Sequence, residues 1–238
     1  TLANTINYSF LKRFEINITI GGQVCSGGIE IGQRVSSEIN KPNFSRIMLR
    51  KLARKLGTDV HGVVRKERSF SSFGVRIANK LESLVSEGSL YGFHNDSGMF
   101  WNIPELREAS VKKLPGQISD AEYIEAFFSI GNEQTSSEGS VIIKRGGCLN
   151  MKNQSNVFHV GVFAPREKRI IKMASRLNVG VGEAKALLEK FDAERRAWFR
   201  KIADTEPEDQ NLYDLVIESD NIFNEDKYVR KIITAIAQ

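Results

Sequence analysis

The chain has 238 residues, a net charge of +5 and 41% hydrophobic residues, an ordinary globular composition with enough length to bury a full-sized core. Two cysteines, Cys25 and Cys148, argue against a disulfide framework, and the scattered His61, His94 and His159 argue against a four-ligand zinc site. No apolar run approaches the roughly 20 residues that span a bilayer, and no leader pattern opens the chain, so a cytoplasmic protein with no membrane partner is expected.

Residues 1–15 read as an N-terminal extension and 16–238 as one α/β domain. Residues 16–20 alternate as a β-branched strand, and the glycine-rich stretch 21–28 follows at once. Residues 29–39 place Ile31, Val35 and Ile39 at helical spacing. Strand, glycine loop and helix together open a nucleotide-binding α/β unit. Pro42 breaks the chain. A helix is predicted from Ser45 to Gly57, with Leu49, Leu52, Ala53 and Leu56 on one face and Arg46, Arg50 and Arg54 on another. Gly57 stands where a helix end is expected. Residues 58–76 are basic and less regular, 77–88 suit another helix, and 89–117 read as a loop-rich insert. Ser119 with Glu122 three residues on forms a capping signature for a helix to about residue 134.

Residues 140–144 and 157–164 are the second and third predicted strands, the latter ended by Pro165. Helices follow over 166–177, with Ile170, Ile171, Ala174 and Leu177 inward, and over 182–202, striped by Leu187, Leu188, Phe191, Trp198 and Phe199. Residues 213–218 form a fourth strand, and 226–237 a closing amphipathic helix. Strands alternating with helices predict a three-layer α/β fold, a mostly parallel sheet covered on both faces.

The glycine stretch carries the clearest chemistry. Phosphate binding needs main-chain N–H groups converging at a helix N-terminus, and a standard phosphate loop reads G-x-x-x-x-G-K-[ST]. Gly22 to Gly27 keep that glycine spacing, but Gly28 stands at the lysine position and Ile29 at the Ser/Thr position. The cradle is kept while two side chains that reach phosphate and magnesium are missing. A strand-to-helix turn with no ligand has the same sequence. Ser26 is the one hydroxyl in the loop core able to approach magnesium; a turn-stabilising serine is the alternative.

The order of several segments resembles the cytidylate-kinase-like family. Thr19-Ile20, Ser26-Gly27-Gly28 and Glu30-Ile31 are similar to its opening, a family in which a double glycine often replaces glycine-lysine. Val141 to Gly147 resembles its strand ending in a glycine-arginine motif. Phe158 to Pro165 with Arg169-Ile170, the arginine-rich stretch from Asp192 to Arg200, and Tyr213 to Ile217 resemble its later segments.

The resemblance implies a P-loop nucleoside-monophosphate-kinase fold. It implies transfer of the ATP γ-phosphoryl to CMP or dCMP with magnesium, residues 41–117 as the monophosphate-binding and insert region, and 178–211 as a lid. Gly22, Ser26, Gly27 and Gly28 would cradle the nucleoside triphosphate. Arg145 corresponds to the residue that holds the monophosphate. Lys144 stands where the family has glycine, and is a candidate replacement for the missing loop lysine. Arg195, Arg196 and Arg200 would act from the lid, against the alternative of a solvated helix with an Asp192–Arg196 pair. Arg46 and Arg50 would grip the acceptor phosphate, against a solvated basic face. His159, Trp198 and Phe199 suit the core. Two other functions stay open: a kinase-fold subunit that lacks catalysis and binds a nucleotide or a protein, and nucleic-acid binding through the basic segment 46–68.

Overall fold

The computed structural model describes residues 16–70, 113, 115–133, 139–144, 146–220 and 225–237. Four strands form one parallel sheet: β1 (Asn17–Gly22), β2 (Val141–Ile143), β3 (Val157–Phe163) and β4 (Leu215–Glu218), in the order β2-β1-β3-β4. Ile18 pairs with Val141 on one side and Phe158 on the other, and Val160 pairs with Leu215. Every residue of β1 and β2 is buried. That double-sided burial is why both read as continuous apolar runs.

The pleat sorts side chains between two layers. Ile18, Ile20, Val141, Ile143, Val160, Val162 and Ile217 meet α1 (Gly28–Glu38) and the closing helix α8 (Asp226–Ile236). On the other face lie α2 (Ser45–Leu56), α3 (Val60–Ser69), α4 (Asp120–Glu133) and the short α5 (Gly147–Asn150). Ile142, Leu52, Val63, Phe127, Leu149 and Phe199 belong to that core. A third cluster packs α6 (Arg166–Leu177) and α7 (Val181–Ala203) beside the glycine loop, joining Val24 to Met173, Leu188 and Phe191. The three-layer α/β expectation holds, with every strand pairing parallel.

Helix ends follow local chemistry. Gly57 closes α2 at φ 65°, a left-handed cap that glycine adopts without strain. The Ser119 hydroxyl accepts from the Glu122 N–H at 3.2 Å, and the Glu122 carboxylate accepts from the Ser119 N–H at 2.9 Å. This is the reciprocal capping arrangement its sequence predicts.

Two expectations are corrected. Helix α3 occupies most of the stretch expected to be irregular. Asp59 caps it, accepting from the Gly62 N–H at 2.6 Å, and Val60, Val63 and Val64 are buried. Three β-branched valines and a glycine lower local helix propensity, so tertiary burial sets this helix. Ile171, expected inward, is 53% exposed, and Met173 packs beside Ile170 instead. Residues 1–15, the predicted helix 77–88 and the insert over 89–112 lie outside the described residues. Among the described residues, no helix is long and apolar enough to cross a membrane.

Candidate functional site

Strand β1 ends on Gly22 at φ 96°, where a Cβ would lie 2.0 Å from the Val162 carbonyl oxygen. Only glycine fits this turn. The Gln23 N–H donates to that same carbonyl at 3.0 Å, and the Gln23 side chain accepts from the Ala164 N–H at 3.2 Å. The loop is thereby stitched to the end of β3. Gly27, at φ 94°, is the N-cap of α1. The first turn of a helix presents N–H groups with no intrahelical acceptor and the positive end of its dipole. The concave side of residues 22–28 therefore favours an anion.

Gly22, Ser26, Gly27 and Gly28 are thus brought together as one turn. Ser26 is 1% exposed, and its hydroxyl donates to the Gln23 carbonyl at 2.9 Å, so here it stabilises the turn. Among the described residues, no group of three or more His, Cys, Asp or Glu gathers to hold a metal. Burial pushes the Cys25 thiol up to about 12, with Arg176 and Lys144 pulling the other way. It stays a neutral thiol at neutral pH.

Lys144 enters this loop from the end of β2. Its N–H donates to the Ile20 carbonyl at 2.7 Å, and its Nζ donates to the Gln23 carbonyl at 2.8 Å. The side chain is buried, and Nζ lies 3.6 Å from the position of a Cβ on Gly28. Arg145, the next residue, lies outside the described residues.

Beside the loop opens a pocket lined by Val24, Leu49, Glu67, Phe127, Arg195 and Trp198, among others. The Arg195 guanidinium carbon sits 5.0 Å from the centre of the Phe199 ring. Its Nε and Nη2 are buried and take no hydrogen-bond acceptor among the described residues. Two lining residues are joined through the buried Tyr123: Trp198 Nε1 donates to Tyr123 Oη at 3.2 Å, which donates to Glu67 Oε1 at 2.8 Å. Phe127 meets Trp198 edge to face, with ring centres 5.2 Å apart. Trp198 and Phe199 both line the pocket, Phe199 from a core position at 1% exposure.

The other candidate arginines are placed differently. Arg196 bonds Glu208 at 3.1 Å and lies 3.6 Å from Glu206, and the exposed Arg200 pairs with Glu206. Asp192 forms its bidentate pair with Arg169, at 3.0 Å for both bonds. Arg169 Nη1 also donates to the Val24 carbonyl at 3.1 Å, tying α6 and α7 to the loop. Sequence inspection missed this role, since no local spacing marks a pair between two helices. Arg50 and Arg54 are exposed, whereas Leu49 and Leu52 of the same helix line the pocket. Arg46 belongs to α2, and its side chain lies outside the described residues. Within the basic segment 46–68, Lys66 turns inward to Asp120 at 2.7 Å and Lys55 pairs with Glu133 at 2.8 Å. His159 is 8% exposed, with Nδ1 2.7 Å from the Thr19 hydroxyl, a core position.

The sequence pattern of the cytidylate kinase-like family matches residues 17–221, from the first residue of β1 past the end of β4. This chain belongs to the cytidylate kinase-like family. A curated relative, a cytidylate kinase of Thermoplasma acidophilum, is 26% identical over 74 residues, covering 31% of this chain and 39% of that protein. The match therefore spans well under half the length of either. A crystal structure of an uncharacterized protein from Eubacterium ventriosum superposes with a TM-score of 0.56 at 14% identity, covering 94% of this chain and 99% of that one. That likeness carries the fold alone. Family membership makes this a nucleotide-kinase-like protein whose expected ligands are nucleotides.

Proposed function

We propose that this family member is a nucleoside-monophosphate kinase that moves the γ-phosphoryl of ATP to CMP or dCMP. The observation that carries the proposal is Arg195. Two buried guanidinium nitrogens without acceptors among the described residues are costly, and here they border a pocket adjoining a phosphate-type loop. A monophosphate supplies the missing acceptors and the compensating charge, in the bidentate geometry that arginine favours.

The roles then divide by location. Residues 22–28 cradle the triphosphate with main-chain N–H groups, and Arg195 holds the acceptor phosphate. Phosphoryl transfer depends on positioning and charge rather than on a protein nucleophile. A phosphate oxygen of the monophosphate attacks the γ-phosphorus, the bond to the β–γ bridging oxygen breaks, and two nucleoside diphosphates leave. The Glu67 carboxylate on the pocket wall is an acceptor suited to an exocyclic amino group such as cytosine N4. Uracil presents a carbonyl oxygen there and meets like-signed partial charge. Ile29 at the Ser/Thr position and the engaged Ser26 hydroxyl do not fit a magnesium ion held by the protein. Magnesium would arrive on the triphosphate oxygens, as it commonly does.

The missing loop lysine favours a second function, a nucleotide-binding kinase relative without turnover. A coupled assay with ATP, magnesium and each nucleoside monophosphate, run beside calorimetric titrations, separates the two. Turnover with CMP or dCMP above UMP supports the kinase. Binding without turnover supports the second function.

A further inference from the structure

We infer that Lys144 supplies, from the neighbouring strand, the phosphate-binding ammonium that the loop's own sequence lacks. The inference rests on the nucleotide-binding proposal above and adds a residue that would touch the triphosphate.

Three observations carry it. The first is position. In a standard loop the lysine follows the last glycine and folds back over the phosphates, which here is Gly28. Lys144 Nζ lies 3.6 Å from where a Cβ on Gly28 would sit, and donates to the Gln23 carbonyl inside the loop at 2.8 Å. The charge missing from α1 is therefore delivered from the end of β2, adjacent in space and distant in sequence. The second is burial. Lys144 is 8% exposed, so a phosphate held in the loop would meet its ammonium with little competing water. The third is backbone conformation. Lys144 has φ 64°, a left-handed conformation uncommon for a residue with a side chain. Glycine would adopt it without cost. Local strain of this kind is retained where surrounding structure and function demand the side chain.

As the triphosphate enters, the ammonium turns from the Gln23 carbonyl to the β- and γ-phosphate oxygens. It neutralises charge on the γ-phosphoryl as that group leaves the bridging oxygen for the monophosphate oxygen.

The test uses the whole chain with three variants: Lys144→Met, Lys144→Gly, and the double variant Gly28→Lys with Lys144→Gly, which returns the lysine to its standard place. Each is titrated with ATP alone and with CMP alone, then assayed for turnover. Both single variants are expected to bind ATP roughly ten- to a hundredfold more weakly, the range of a charge-assisted hydrogen bond, with CMP affinity unchanged. The double variant is expected to regain most of the ATP affinity. Lys144→Gly is expected to melt no lower than wild type, because it relieves the backbone, so its loss of binding would not be a loss of folding. Single variants that bind ATP like wild type, or a double variant no tighter than Lys144→Gly, overturn the inference and leave the kinase proposal standing. A wild-type chain that binds neither ATP nor CMP overturns both.

Discussion

Replacing Arg169 by Met should be among the most damaging single changes outside the core. The Arg169 and Asp192 side chains are 5% and 11% exposed. Two N–H···O bonds of 3.0 Å join them, and a third bond of 3.1 Å reaches the Val24 carbonyl. Methionine keeps much of the volume but strands the Asp192 carboxylate. Breaking a buried pair by removing one partner costs about 3–5 kcal/mol, consistent with losing two charge-assisted bonds of about 1.5–3 kcal/mol each. For a domain of this size each kcal/mol lowers Tm by about 2–4 °C, so a fall of about 6–20 °C is expected. The double variant Arg169→Met with Asp192→Leu should recover most of that loss, because an apolar pair of similar volume often replaces a buried ion pair at little cost. Urea and thermal unfolding of wild type, both singles and the double form a mutant cycle. A loss below about 1 kcal/mol for Arg169→Met is what an exposed pair would give, and it would refute the placement of this pair between loop, α6 and α7. The same variant should also bind ATP more weakly, since Val24 loses the contact that holds its carbonyl.

Other changes separate the site from its scaffold. Arg195→Met should change stability little, because Nε and Nη2 make no hydrogen bond among the described residues, while lowering kcat/KM for CMP about a hundredfold or more; steady-state kinetics with unchanged kcat/KM would remove Arg195 from the site. Gly22→Ala places a Cβ 2.0 Å from the Val162 carbonyl oxygen at φ 96° and should abolish ATP binding with a lowered Tm; a variant that melts and binds like wild type would show that the loop tolerates side chains. Burial lowers the pKa of His159 against the opposing pull of Asp214, so on acidification the unfolded chain takes up this proton first. Its share of stability is present above the ordinary histidine value of about 6.5 and is lost as pH falls from there toward the lower folded value. Urea midpoints should therefore drop between pH 7.5 and 5.5 more for wild type than for His159→Asn, and equal slopes would contradict the assignment.

What was legible in the sequence was local. Glycine spacing after a β-branched strand marks the loop because φ values such as those of Gly22 and Gly27 nearly require glycine. The bounds of α6 follow from Pro165 before it and Asn178, left-handed at φ 53°, after it. The capping pair Ser119 and Glu122 is a three-residue signal and is found as expected. What was not legible depends on chain reversal. Arg169 reaches a carboxylate 23 positions away, and no periodicity encodes that distance; Lys144 was singled out only by the family resemblance, and its reach to a carbonyl 121 positions away has no local signal either. In sequence the arginines of α7 separate only by face, with Arg196 and Arg200 four apart on one and Arg195 off it. They differ because the turn at Asp204 folds Glu206 and Glu208 back onto Arg196 and Arg200, leaving Arg195 beside the pocket. Helix α3 was obscured by its valines, whose burial is set by packing on α2, the turn at Pro115–Gln117 and α7 rather than by its own propensity.

The central claim is that residues 22–28 and Arg195 form paired sites for a triphosphate and a monophosphate. Calorimetric titration of the wild-type chain with ATP and separately with CMP, followed by the coupled assay containing both and magnesium, tests it most directly. The account predicts one site for each ligand and turnover with CMP or dCMP faster than with UMP. Absence of binding for both ligands would contradict it.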